Sequence, residues 1–290
     1  MIDFKDYYKK IKRGYRKILF IHREVSVRDK SKFYPAFLYL QIAVIGLIGK
    51  YIPGVKNLFN RYRKRALSDH ILIKSNVGFF HATVRNDSFM KSMPFFEQYC
   101  QSWLDKAENK KVFVDIGANI GFFTLLALNN KGFQKALAFE PTPDTFKRLQ
   151  QNVATNNLEG RARLFNKAIG KERAQLKLQQ NEFHTGGNTV IEESEDENLI
   201  SVDVAPFPDL LDETDVKIAN IGFIKIDVEG FELNVLQGMK DILKELVLDT
   251  LIFVEIREKD NNKKEVQNLL KDNKFKLIDF YDSNFLYIKI

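Results

Sequence analysis

The segment Lys111–Thr124, KVFVDIGANIGFFT, sets an acid and two glycines between two apolar runs. Val112, Phe113, Val114 and Ile116 are β-branched or aromatic, the composition of a strand buried on both faces. Asp115 closes that strand, and Gly117 and Gly121 bracket a turn where backbone can approach a ligand closely. A strand feeding a glycine turn and a helix N-terminus receives nucleotide cofactors in open α/β sheets. The spacing here is Gly-x-x-x-Gly with an acid two positions earlier, not the G-x-G-x-x-G pattern that cradles a pyrophosphate. An acid at this point suits a cofactor with a positive end and no phosphates. Twenty-three positions after Gly117, a second apolar strand, KALAF, runs into Glu140. A carboxylate at that strand tip can accept hydrogen bonds from both ribose hydroxyls.

A second chemical centre lies in GFIKIDVEGFE, residues 222–232. Phe223, Ile224 and Ile226 read as a buried strand that also carries Lys225, with Asp227 at its carboxyl end. Ligands of open α/β sheets bind outside the carboxyl ends of the strands, which brings Asp227 toward Asp115 and Gly117. Glu229 and Glu232 flank Gly230 where a helix begins, and Glu232 suits the helix N-terminus through its dipole. The next strand, TLIFVEI, ends in Glu255 with Arg257 beyond it. Two neighbouring strand ends thus present carboxylates. They suit the orientation or deprotonation of a hydroxyl, or a divalent ion that lowers the hydroxyl's pKa. A pairing of Glu255 with a nearby Lys or Arg is the third alternative. His184, in the glycine-containing loop HTGGNTV, is a further candidate for proton handling and equally a surface residue.

These residues resemble the class I S-adenosylmethionine-dependent methyltransferases, and within them the FkbM family. The resemblance rests on VDIGANIGFFT, FEPTPDTFKRLQQNV, NKAIG and IKIDVEGFELNVLQGM, in that order over roughly residues 71–290. It implies S-adenosyl-L-methionine as cofactor and methyl transfer to a hydroxyl of a sugar, glycan or natural-product acceptor. On the same resemblance Asp115, Gly117, Asn119 and Gly121 belong to the cofactor turn. Glu140 then takes the ribose, Asn166 and Ala168 lie by the adenine, and Asp227 borders cofactor and acceptor. Proton handling falls to Glu229, Glu255 or His184, and no metal-ligand set is implied.

The elements that must hold these groups follow from periodicity. The implied fold is α/β and Rossmann-like, a seven-stranded, mostly parallel sheet with a C-terminal antiparallel hairpin. Pro143 starts a helix to about Asn156, with Phe146, Leu149 and Val153 on one face. A third strand covers about 162–165, and a β excursion spans about 174–204. Strands at 250–256, 274–281 and 284–290 surround a helix at about 263–271, and the tight Asp282-Ser283 link makes the final pair antiparallel. Before the first glycine turn, residues 71–93 read as a hairpin with Asn76 and Gly78 near its turn. Residues 95–104 read as a helix that gathers Phe96, Tyr99 and Trp103, to cover the cofactor or to join the core.

The chain has 290 residues, 44% hydrophobic and 29% charged, which are globular values. Its single Cys100 rules out an intramolecular disulfide and a cysteine zinc cluster, and fits a cytoplasmic setting. The net charge of +7 is uneven: residues 1–75 hold 18 Lys or Arg against 5 Asp or Glu, and the rest 27 against 33. A basic helical extension over 1–70, followed by an enzyme domain over 71–290, is the expected division. Within the extension, residues 33–49 (FYPAFLYLQIAVIGLIG) carry no charge. They suit a helix packed on the domain, a short hairpin or interfacial helix at the cytoplasmic face of a membrane, or a true span. An anionic membrane surface is therefore an expected partner of residues 1–65. Nucleic acid is disfavoured, since Ile226–Glu229 (IDVE) replaces the N/D-P-P-Y/F signature of amino-methylating enzymes. A non-catalytic, methyltransferase-like module that binds membrane or nucleic acid is the alternative function. If the arm meets membrane peripherally, the full-length protein will co-sediment with anionic vesicles and release as salt screens the contact. Indifference to such vesicles at low salt would assign 33–49 to a packed helix.

Overall fold

The computed structural model describes residues 26–27, 71–82, 97–179, 189–191, 199–257 and 262–290, in two compact units, 1–96 and 97–290. Residues 33–49, the basic residues around them and His184 lie outside the described residues. In the first unit β1 (Ser26–Val27), β2 (Ile71–Lys74) and β3 (Phe79–Ala82) form an antiparallel sheet. Ile71, Ile73, Phe80 and Ala82 are buried on alternate positions, the pattern of strands covered on one face. Ser75 closes the turn, its N–H donating to the Gly78 carbonyl at 2.9 Å. The expected hairpin is therefore present, and β2 also bonds to Ser26–Val27 within the same unit.

The second unit opens with α1 (Gln98–Gln101) and a tight helical turn, Ser102–Lys106. There follow β4 (Val112–Ile116), α2 (Phe122–Asn130), β5 (Lys135–Phe139), α3 (Pro143–Thr155) and β6 (Ala162–Phe165). The excursion comprises β7 (Ala168–Ile169), β8 (Ala174–Gln179), β9 (Thr189–Ile191) and β10 (Leu199–Ala205). After α4 (Phe207–Leu211), the chain returns through β11 (Ile221–Ile226), α5 (Glu232–Gly238), α6 (Lys240–Glu245) and β12 (Leu251–Glu255). It closes with α7 (Lys263–Asp272), β13 (Phe275–Tyr281) and β14 (Asn284–Lys289).

Seven strands form one sheet in the order β13-β14-β12-β11-β4-β5-β6. The five from β6 to β12 are parallel, and β14 runs antiparallel to both neighbours. Every residue of β4 and β11 is buried, as expected for central strands with both faces covered. From β4 the chain winds outward to β6, then returns to β11 on the other side. That reversal opens a crevice at the carboxyl ends of β4 and β11. The excursion is a separate four-stranded sheet, β7-β10-β8-β9. Trp103 is fully buried, edge-on to Phe253 at 5.2 Å, and its indole N–H donates to Asp279 at 3.0 Å. It takes the core role. Tyr99 is exposed and stacks on Tyr281 at 4.5 Å, while Phe96 lies outside the described residues. Among the described residues no helix is long and apolar enough to cross a membrane.

Where α5 ends, a Cβ on Gly238 would stand 1.9 Å from the Gly170 carbonyl oxygen. Both partners are backbone, so the contact cannot relax by a side-chain rotation. Gly238→Ala should lower unfolding stability by about 1–3 kcal/mol in urea titration. Gly160→Ala, with nothing within 4 Å of its added Cβ, should stay within about 0.5 kcal/mol of the parent.

Candidate functional site

The turn after β4 is held by the backbone of its neighbours. The N–H groups of Gly117 and Ala118 both donate to the Phe139 carbonyl, at 3.0 and 2.9 Å, which ties the turn to the end of β5. Gly117 (φ 77°), Asn119 (φ 53°) and Gly121 (φ 87°) are left-handed. Glu140 bridges this turn to the next segment. Its Oε2 accepts the Asn119 N–H at 3.0 Å, and its Oε1 accepts the Thr142 N–H at 2.9 Å. Asn166 donates its side-chain amide to the carbonyls of Glu140 and Pro141, both at 2.9 Å. Glu140, Asn119 and Asn166 are thus brought together as expected.

The acids of the crevice differ sharply in surroundings. Asp115 is fully buried, with its Oδ2 accepting from the Thr124 hydroxyl at 2.6 Å and its Oδ1 lying 3.6 Å from the Lys225 ammonium. Burial raises its carboxyl above the ordinary aspartate value, with Lys225 and Thr124 opposing. Lys225 lies 3.1 Å from Asp227 and donates to the Gly117 carbonyl at 3.4 Å. Burial pulls its ammonium down, but the Asp227 and Asp115 carboxylates outweigh this and hold it above lysine's usual value. Carboxylate oxygens of Asp227, Glu229 and Glu255 lie within 4.8 Å of one another, all half-buried. Glu229 pairs with the Arg257 guanidinium. Burial first, then the neighbouring Asp227 charge and hydrogen bond, push Glu255 up to about 9. Both effects favour a proton shared between Glu255 and Asp227. The Arg257 contact and this shared proton offset part of the cluster's charge.

The structure adds to several expected roles. The two glycines also serve the protein's own packing. A Cβ on Gly117 would meet the Asp227 carbonyl oxygen at 1.9 Å, and one on Gly121 the Leu149 side chain at 2.5 Å. Asp115 has no exposed surface, so it supports the turn through Thr124 and Lys225 from beneath. Ala168 is half-buried and registers with Val204 of the second sheet, which leads the chain away at that point. Glu255 meets Asp227, not a basic side chain. Glu232 fills its expected place in the first turn of α5, buried, accepting the Gly230 N–H at 2.9 Å. Lys225 and Thr124 were missed as site residues, although a lone lysine within FIKI is a legible signal.

A doubly wound sheet of this order, with its antiparallel final pair and glycine turn at the switch point, defines a class I methyltransferase fold. Residues 115–277, more than half of the chain, match the methyltransferase FkbM domain, and the chain belongs to that family. Methyltransferase 1 of Beauveria bassiana is 34% identical over 145 residues, covering 44% of this chain and 58% of that protein. Hexuronic acid methyltransferase AglP of Haloferax volcanii is 27% identical over 171 residues, covering 59% of this chain and 66% of that protein. The crystal structure of methyltransferase FkbM from Methylobacillus flagellatus KT matches with a TM-score of 0.44 at 17% identity, over 81% of this chain and 59% of that one. In each case the chain spans less than two thirds of the relative's length.

The acid pair makes stability depend on pH. An unfolded glutamate loses its proton near 4.5, whereas folded Glu255 keeps it to about 9. Raising the pH between those values therefore favours the unfolded chain, by at most about 1.4 kcal/mol per pH unit. Glu255→Gln imitates the protonated form and removes this loss. Unfolding midpoints of variant and parent should agree near pH 4.5, diverge in the variant's favour up to about pH 9, and then run parallel. Parallel curves throughout would remove the proton from Glu255.

Proposed function

We propose that the chain transfers a methyl group from S-adenosyl-L-methionine to a hydroxyl oxygen of a sugar, glycan or natural-product acceptor. The observation that carries this reading is the acid pair Asp227 and Glu255 at adjoining strand ends, beside the glycine turn. The residues present fit the cofactor. Glu140 is held by two backbone amides just past the end of β5, where a carboxylate suits ribose hydroxyls. Asn119 and Asn166 flank it, and Asp227 offers negative charge at the turn to a cationic ligand end. Bound there, S-adenosyl-L-methionine supplies a methyl group already activated on a sulfonium.

The protein's task is then positioning and proton removal. The acceptor oxygen must be held in line at about 3 Å from the reacting carbon. A neutral hydroxyl is a poor nucleophile, and its proton has to leave as the ether forms. Asp227 is the acid in contact with Lys225, partly open to solvent, and suited to accept that proton. Glu255 already holds one, and Glu229 is engaged by Arg257. General-base help of this kind contributes roughly 10²–10⁴-fold. The name of the Haloferax relative supports an acidic sugar as one acceptor class.

Calorimetry with S-adenosyl-L-methionine tests the cofactor half. Glu140→Ala should weaken binding by about tenfold to a hundredfold, the loss of a charge-assisted hydrogen bond. No binding by the parent at millimolar concentration would favour the non-catalytic module instead. For the chemistry, Asp227→Asn should cut turnover by about a hundredfold or more while cofactor affinity largely remains. Chelation should leave the parent's rate unchanged. A rate lost to chelator and restored by magnesium or manganese would reassign the three carboxylates to an oxygen-ligated ion. Turnover unaffected by Asp227→Asn would point to an acceptor that needs no base, such as a carboxylate.

A further inference from the structure

Lys225 is the one charged residue of β11, a strand buried at all six positions. Its side chain is only 3% exposed. A central parallel strand ordinarily carries apolar residues here, and an ammonium so placed is costly unless its partners are close. Its partners converge from three sides. Asp227, at the end of the same strand, lies at 3.1 Å, Asp115 on β4 at 3.6 Å, and the Gly117 carbonyl at 3.4 Å. The ring of Phe123 on α2 covers it, with its centroid 5.4 Å away. Glu97, just before α1, and Glu255 on β12 act on it from farther off, and the Cys100 thiol of α1, kept protonated by burial, faces the same group. An apolar residue would fill such a position at no cost in buried charge. What the lysine adds is a fixed positive charge that touches one acid of the pair and not the other.

We propose that Lys225 is the positioning residue of this site. Its buried ammonium ties the turn at Gly117 to Asp227 and makes Asp227, not Glu255, the charged member of the acid pair. The proton of the pair stays on Glu255, and Asp227 is held ready to accept another. Because the same ammonium holds the turn, whatever seats against the turn is set in place relative to the proton acceptor. The catalytic consequence rests on the methyl-transfer reading above, whereas the charge assignment stands without it.

The test uses the full-length protein labelled with ¹³C at Asp and Glu carboxyls, with signals assigned through Asp227→Asn and Glu255→Gln. In the parent at pH 7, Asp227 should resonate as a carboxylate and Glu255 as an acid; the reverse would overturn the proposal without any further variant. Lys225→Arg, which keeps the charge, should retain this pattern. Lys225→Met combined with Asp115→Asn removes one cation and one anion together, so that the fold is not left with an excess buried charge. Thermal melts identify the variants that fold. In the folded double variant Asp227 should take up a proton at pH 7, and an unchanged Asp227 titration would reject the role of Lys225. In turnover, the double variant should lose at least about tenfold in kcat with affinity for S-adenosyl-L-methionine changed less than about threefold, and Lys225→Arg should recover most of kcat. A parent that methylates nothing would sink the methyl-transfer reading, while the carboxyl signals would still decide the charge assignment.

Discussion

The site depends on how closely the ends of β4 and β11 approach. Their register sets Asp115 opposite Lys225 and Ile116 opposite Ile226, so Gly117 and Asp227 are the next to meet. The Asp227 N–H donates to the Ile116 carbonyl at 3.1 Å, and the Asp227 carbonyl occupies the space a side chain on Gly117 would need. A residue with a Cβ would push the two strand ends apart. The distances among Lys225, Asp115 and Asp227 would lengthen with them. The left-handed φ of Gly117 adds a second reason for glycine, since it directs the chain back over the end of β5.

Around that contact, carboxylates of one chemical type are given different work by their donors. Glu140 accepts backbone N–H groups, which stabilise its charge without neutralising it. Asp115 has a hydroxyl and an ammonium and no access to solvent, so it acts on its neighbours. Glu229 is occupied by a guanidinium. Glu255 is largely buried beside Asp227, and both effects favour its protonated form. Position alone, at the carboxyl ends of strands, would have made all of them equal candidates. Burial and partner chemistry separate them.

Much of this arrangement could be read in the residues. The apolar runs, the glycine turn and the acids at strand ends gave the sheet and the crevice, because strand period and turn chemistry are local properties. The separation of Gly117 from Glu140 put a carboxylate just past the end of β5, and the structure has it there, bonded to the turn through Asn119. What escaped were matters of tertiary distance. Gly117 looked like a gap left for a ligand, and only the parallel register shows Asp227 filling it. Glu255 could have met a lysine or an acid, and nothing along TLIFVEI distinguishes the two. The hairpin at Ile71–Ala82 was legible, but its partner Ser26–Val27 lies more than forty positions earlier, beyond any local pattern. Ala168 was assigned by resemblance, and the short strand that starts there turns the chain toward a different sheet.

The placement of β14 bears on how the crevice comes into being. β14 is synthesised after β13 yet lies between β13 and β12, bonded to both. Until Asn284–Lys289 leaves the ribosome, β12 has an open flank and Glu255 has no register partner in Asn284 on that side. The ammonium of Lys289 also closes the carbonyl ends of two helical segments, donating to Leu243 and Asn273 at 2.7 Å each. A nascent chain can thus pair β4 to β6 early, whereas the turn after β4 gains its ties to Lys225 and Asp227 only with β11, and the flank beside Glu255 is sealed last, from the far edge of the sheet.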